Sequence, residues 1–190
     1  MKKLRPWVIV IGVKPIVALV LLAGVMVLLF TPAFWRVVYP IHYYKTIERE
    51  ALIMHVNPLL VASVVRVESH FREDDISHAG AMGLMQLMPG TAQWVAKEIH
   101  MPKIHAVDLA QPDLNIRLGS WYLSYLLRQY HGSLPEAIAA YNAGPNRVNT
   151  WLAKGVWSGS EVTTYDIPVR ETRHFVARVL YTFGIFRRFY

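Results

Sequence analysis

The stretch 57-NPLLVASVVRVESHF-71 decides how the rest of the chain is read. Asn57 followed by Pro58 is a helix start, with Asn as the cap and Pro in the first helical position. Val61, Val64 and Val65 lie seven, four and three residues before Glu68, and Phe71 lies three after it, so on a helix all share one face with the carboxylate. Burial penalises the charged form and raises a carboxyl pKa, so such a group can hold its proton near neutral pH. That is the property a general acid needs in order to protonate a poor leaving group such as a glycosidic oxygen. From these residues alone a second reading stands beside it. Glu68 could turn to solvent at the helix end, or pair with Arg66 or Arg72.

Outward from this helix the chain reads as mostly α. The acidic, small-residue loop 72-REDDISHAGAMG-83 breaks the periodicity, and GLMQLMPG runs into a helix from Pro89 to about His100. Asp113 to Tyr130 is the longest periodic stretch after the N-terminal run, with Leu114, Leu118, Trp121, Tyr122, Tyr125 and Leu126 on an apolar face. Gly132 breaks it. Pro135 opens the next helix and Gly144 closes it, a short helix covers Asn146 to Lys154, and a last one runs from Pro168 to the C-terminus. Before Asn57 a connector, RVVYPIHYYKTIEREALIMH, leads into a first helix. No internal repeat and little strand-like alternation interrupt the helical pattern.

Composition bounds the class. With 190 residues, 54% hydrophobic and 17% charged, the chain can pack a core. Much of the apolar content lies at the start, where residues 16–35, IVALVLLAGVMVLLFTPAFW, carry no formal charge and are long enough to cross a bilayer as a helix. Lys2, Lys3, Arg5 and Lys14 precede this run and no acid appears before Glu48, so the positive-inside rule puts residues 1–15 in the cytoplasm and residues 36–190 outside. A signal peptide cleaved near Thr31-Pro32-Ala33 is the competing reading. The absence of cysteine excludes a lipidated cysteine anchor and a disulfide framework. Of the 20 Lys and Arg residues four precede the apolar run, which leaves residues 36–190 with 16 basic against 13 acidic side chains, a net of +3. That balance is no nucleic-acid signature.

Four blocks then occur in order: Glu68-Ser69; GAMGLMQLMPGTA from Gly80 to Ala92; AAYNAG from Ala139 to Gly144; and IPVRETRHFVARV from Ile167 to Val179. Together they resemble the soluble-lytic-transglycosylase-like domain, over roughly residues 41–187. The resemblance implies a mainly α, lysozyme-like fold of the goose-type lysozyme kind as one catalytic domain, here preceded by the N-terminal transmembrane helix read from the apolar run. It implies a lyase that cuts peptidoglycan strands at the β-1,4 bond after N-acetylmuramic acid, with the sugar's own 6-hydroxyl closing a 1,6-anhydro ring. It carries Glu68 onto the catalytic acid/base. Ser77, Gln86 and Met88 fall on substrate contacts, Tyr141 and Asn142 on groups set against the acid and the N-acetyl sugar, and Glu171 on a second carboxylate deeper in the site. The expected partners are glycan strands and the membrane, with neither nucleic acid nor cofactor.

The carboxylate count fits a single acid. Glu73, Asp74 and Asp75 lie in a polar loop and read as solvated; if only Glu68 acts directly, the substrate must supply the nucleophile through its acetamide or its 6-hydroxyl. Plainer readings remain for several of these residues. Tyr141 could be a core tyrosine, Glu171 a partner of Arg170 or Arg173, and Trp121, Tyr122 and Tyr125 core aromatics. Met82 and Met85 read as filler. None of the eight histidines stands in a zinc-ligand spacing, so no metal is expected. Two positions depart from the family's pattern: Arg72-Glu73 stands where Asn-Pro is usual, and Phe175 where tyrosine is usual. Two other functions compete, a hydrolytic muramidase on the same fold and a catalytically idle glycan-binding scaffold of an envelope complex.

Overall fold

The computed structural model describes residues 12–190, so the basic cluster Lys2, Lys3 and Arg5 lies outside the described residues. The helices are α1 (Val13–Phe30), α2 (Pro32–Val38), α3 (Tyr44–Ile53), α4 (Pro58–Ser69), α5 (Pro89–Glu98), α6 (Pro112–Gln129), α7 (Leu134–Ala143), α8 (Pro145–Ala153) and α9 (Arg170–Phe189). Short 3-10 turns at Ala106–Ala110 and Thr164–Asp166 complete the order. Among the described residues the only β pairing is two isolated bridges, Ile76 with Met82 and Met82 with Leu87. Ile41–Arg188 forms one compact unit; the segment up to Pro40 groups with Phe189–Tyr190 in another.

The N-terminal apolar run is not one helix. Thr31 precedes Pro32, is held extended at ψ 136°, and so ends α1 and starts α2. At the other end of the chain α9 begins at Arg170, two residues after the expected Pro168.

Helix α6 organises the larger unit by packing against α3, α5 and α7, and α4 packs on α3. The valine face of α4 is shut in, with Val61, Val64 and Val65 at 0% exposure. Asn57 caps α4 by accepting from the Leu59 amide at 2.9 Å. The other end of α4 has no glycine to turn the chain. His70 and Phe71 both take left-handed backbone, at φ 53° and 64°, a conformation non-glycine residues adopt at a cost. Their neighbour Glu68 therefore sits in the last turn of a helix whose exit is strained.

Glu50 on α3 is a feature the sequence did not announce. It is fully buried, accepts from Arg49 Nε at 2.9 Å, and joins α3 to α6 through Arg117 Nε at 2.9 Å and Nη2 at 3.2 Å. Burial by itself would raise its pKa, but the hydrogen bonds from Arg117 and then Arg49 outweigh it and hold the carboxyl below its ordinary value. The stabilisation is therefore present above the unfolded carboxyl's pKa and disappears as pH falls through the lower folded value. Arg117→Ala leaves one arginine on a buried charge and will cost about 2 kcal/mol at pH 7, less than the full loss of a buried pair because Arg49 remains. Urea unfolding at pH 7 and at pH 3 checks this: the deficit should shrink at the lower pH, and equal midpoints at pH 7 would refute the assignment.

Candidate active site

The loop 72–88 after α4 folds into two small back-to-back turns. Ser77 donates its N–H to Ala81 O at 2.9 Å, while Met82 and Leu87 bond each other in both directions at 3.0 Å. Gly83 donates its N–H to Asp75 O at 2.9 Å, and its φ of +78° suits only glycine. A Cβ at Gly83 would also collide with Leu109 O and the Asn115 amide.

Asn115, fully buried on α6, holds these turns in place. Its Oδ1 accepts from the Met85 amide at 2.7 Å, and its Nδ2 donates to Met82 O and to Leu109 O, each at 2.9 Å. Ser69, next to the acid, donates its hydroxyl to Leu84 O at 2.8 Å and ties the end of α4 to the same loop. Ser69 stood in the sequence only as part of the Glu68-Ser69 block, and Asn115 was not singled out. A buried asparagine on an otherwise apolar helix face was the available signal for Asn115.

Around Glu68 three elements converge. The residue as a whole is half-buried, yet its carboxyl is withdrawn from water, and this desolvation, reinforced by the charge of Glu171 and opposed by Arg178, pushes its pKa up to about 8. Of the alternative partners, Arg72 pairs with Asp75 at 3.2 Å. His70 beside it is pushed below the ordinary histidine value by burial and by Arg178, Arg72 and Arg66, so it brings no cation to the site at neutral pH.

Tyr141 near the end of α7 donates its hydroxyl to Met85 O at 2.8 Å. Burial, with a contribution from Glu68, raises its pKa well above the ordinary value and keeps it a donor. Asn142 Oδ1 accepts from Thr172 Oγ1 at 2.7 Å, which orients the amide and leaves its Nδ2 as the group able to donate to a ligand. Phe175 stacks on Tyr141 at 6.4 Å and 9°, so the ring that lacks the usual hydroxyl still backs the tyrosine. Helix α9 thus supplies Glu171, Thr172, Phe175 and Arg178 to one neighbourhood.

The remaining candidates are placed unequally. Gln86 adopts φ 46° and donates both amide hydrogens, to Asp75 O and Gly83 O at 2.9 Å each, leaving Oε1 as its acceptor. Ser77 Oγ accepts from the Ala81 amide at 2.9 Å and keeps its own hydrogen to donate. Met88, the residue before α5, is exposed.

Two expectations require correction. Glu171 is exposed in the first turn of α9, and it pairs with neither neighbouring arginine, because Arg173 donates twice to Ile167 O and Arg170 faces His174. Of the three α6 aromatics only Tyr122 is core; Trp121 and Tyr125 are half-exposed, stack at 5.7 Å and 8°, and receive the edge of Trp94. Tyr122 in turn touches Tyr141, at 5.4 Å between rings.

Comparison with known proteins places this arrangement. A family model described as the transglycosylase SLT domain matches residues 45–162. The soluble lytic murein transglycosylase of Salmonella typhimurium is 35% identical over 153 residues, covering 80% of this chain and 24% of that protein. Among solved structures, the 70 kDa soluble lytic transglycosylase of Escherichia coli superposes with a TM-score of 0.77 at 33% identity, over 82% of this chain and 26% of that one. An inactive Glu→Gln mutant of the lytic transglycosylase Slt from Pseudomonas aeruginosa gives a TM-score of 0.73 at 37% identity, over 80% of this chain and 25% of that one. The chain therefore spans about a quarter of the length of these relatives. The helical architecture is that of these neighbours, and with the family model matched across more than half its length, this chain belongs to the transglycosylase SLT domain family.

Proposed function

We propose that this chain is a membrane-anchored lytic transglycosylase that cleaves the β-1,4 bond between N-acetylmuramic acid and N-acetylglucosamine in peptidoglycan. The observation that carries the reading is the desolvated carboxyl of Glu68, whose pKa near 8 keeps it protonated at neutral pH. Glu68 donates that proton to the leaving glycosidic oxygen. The substrate's acetamide or 6-hydroxyl meets the developing positive charge at the sugar, and Glu68, now a carboxylate, withdraws the proton of the 6-hydroxyl as the anhydro ring closes. Tyr141 and Asn142 position the acid and the N-acetyl group; Ser77, Gln86, Met88 and Glu171 contact the strand.

The free hydrogen-bonding capacity of Asn142 Nδ2, Gln86 Oε1 and the Ser77 hydroxyl suits an acetamide and ring hydroxyls. In this reading residues 16–35 anchor the chain and residues 36–190 work on the wall side of the membrane. α1 supports the anchor by length and apolar composition, with none of its 18 residues buried.

Hydrolysis is the second reading, and the charge of Glu171 felt at Glu68 favours it, since two carboxylates across the bond are the usual hydrolytic arrangement. Mass spectrometry of muropeptides released by the full chain from purified peptidoglycan separates the two. Anhydro products, lighter by one water than hydrolysed ones, are the expected result. Reducing-end products would replace lyase by muramidase, and intact glycan with retained binding would leave a scaffold.

A further inference from the structure

We infer that residues 31–39 and Phe189–Tyr190 together build a seat for the headgroup zone of an anionic bilayer. The inference rests on reading α1 as a membrane span and adds a second, C-terminal attachment to it. At the end of α1, Thr31 gives both its N–H (3.0 Å) and its hydroxyl (2.7 Å) to Leu28 O, and Trp35 Nε1 donates to Leu29 O at 2.7 Å. A carbonyl met by a donor of its own chain needs none from water, which suits a helix end at the edge of the hydrocarbon.

The same residues hold the other terminus. Trp35 stacks flat on Phe189, at 5.0 Å and 12°. Arg36 Nε donates to Phe189 O at 2.7 Å, and its guanidinium lies 5.2 Å from the centre of the Tyr190 ring. Tyr190 closes the set by donating its hydroxyl to Tyr39 O at 2.9 Å. One tryptophan, two tyrosines, a phenylalanine and an arginine, gathered within one unit at the end of an apolar helix, have the composition of a membrane-interface belt. Trp and Tyr place an apolar body and a polar tip at that depth, while Arg36 faces lipid phosphate. Arg187 and Arg188, the two residues before Phe189 in sequence, add positive charge to the same terminus. The chain leaves the belt after Pro40 and returns to it at Phe189, so the unit Ile41–Arg188 is connected to it in sequence at both ends.

The chain contains no cysteine, so single labels can be introduced without removing any. The full chain is reconstituted in vesicles of phosphatidylglycerol and phosphatidylcholine with one nitroxide at Leu22→Cys, at Lys154→Cys, or at a cysteine appended after Tyr190. Collision with oxygen against a water-soluble nickel chelate reads depth. The appended label should lie between the other two, at headgroup depth, and Trp35→Ala should move it into water. An appended label as exposed to nickel as the one at Lys154, with Leu22→Cys deep, would overturn the C-terminal seat alone. A Leu22→Cys label in water would overturn the anchor and the seat with it. A Trp35→Ala variant whose appended label stays at headgroup depth would refute the role given to the ring stack.

Discussion

Glu68→Gln will abolish glycan cleavage, by about a thousandfold or more, and will at the same time stabilise the fold. Both effects come from one cause. The folded carboxyl titrates near 8, against 4.5 for an ordinary glutamate, so between these values the folded chain keeps a proton that the unfolded chain has released. Stability contributed by the neutral carboxyl is full below about 4.5, falls as pH rises through that window, and is gone above 8, where the buried group is charged. Full linkage would amount to on the order of 4 kcal/mol, and a glutamine that must satisfy its own amide recovers about 1–2 kcal/mol of it.

Thermal melting at pH 5 and pH 9 reads this directly. The variant and the parent should differ little at pH 5, and the variant should lead at pH 9. A difference that does not change with pH would mean that desolvation is not what perturbs Glu68. Residual cleavage at the parent's rate would remove Glu68 from the acid role. Activity of the parent should decline as pH rises through about 8, because the proton to be donated is lost there.

Asn115→Ala will produce the largest loss of stability, about 4 kcal/mol. The substitution strands two buried backbone groups at once, the Met85 amide and the Leu109 carbonyl, and removes one of the two donors to Met82 O, which keeps the Leu87 amide; each unmet group costs on the order of 1–3 kcal/mol. Measured by urea unfolding, this is enough to lower the melting temperature by roughly 10 °C in a unit of this size. Activity should fall too, even at temperatures where the variant is folded, because Asn115 holds Met85, and Met85 O is the acceptor for the Tyr141 hydroxyl. Asn115→Leu separates hydrogen bonding from packing. A leucine that restores stability would show that filled volume, not the three bonds, is what matters; a loss below about 1 kcal/mol in Asn115→Ala would do the same.

Much of the architecture was readable from local signals. Asn57-Pro58 starts α4 and Gly144 closes α7 because caps act over a few residues, and those starts and stops fall where the sequence puts them. The valine face of α4 was equally local: a helix that buries Val61, Val64 and Val65 must carry Glu68 inward with them. Local signals failed where local preference lost. No residue type in Ser69-His70-Phe71 announces two consecutive left-handed positions, since the usual marker, glycine, is absent. The single helix expected over residues 16–35 broke because the steric effect of Pro32 on Thr31 outweighs an unbroken apolar pattern.

The sequence by itself determined the order of the helices, the placement of a lone carboxylate on an apolar face, and the four blocks that mark the family, because periodicity, caps and short motifs are properties of neighbours along the chain. Only the tertiary structure decided what surrounds that carboxylate. The Tyr141 hydroxyl reaches Met85 O across 56 positions, Asn142 meets Thr172 across 30, Asn115 spans 33 to Met82, and Arg117 reaches Glu50 across 67. A pKa depends on the water removed and the charges brought near, and both are set by which distant segments pack together. Glu171 illustrates the point. Its sequence neighbours Arg170 and Arg173 suggested an ion pair, yet packing turns those arginines to His174 and Ile167 and leaves the Glu171 charge to act on Glu68.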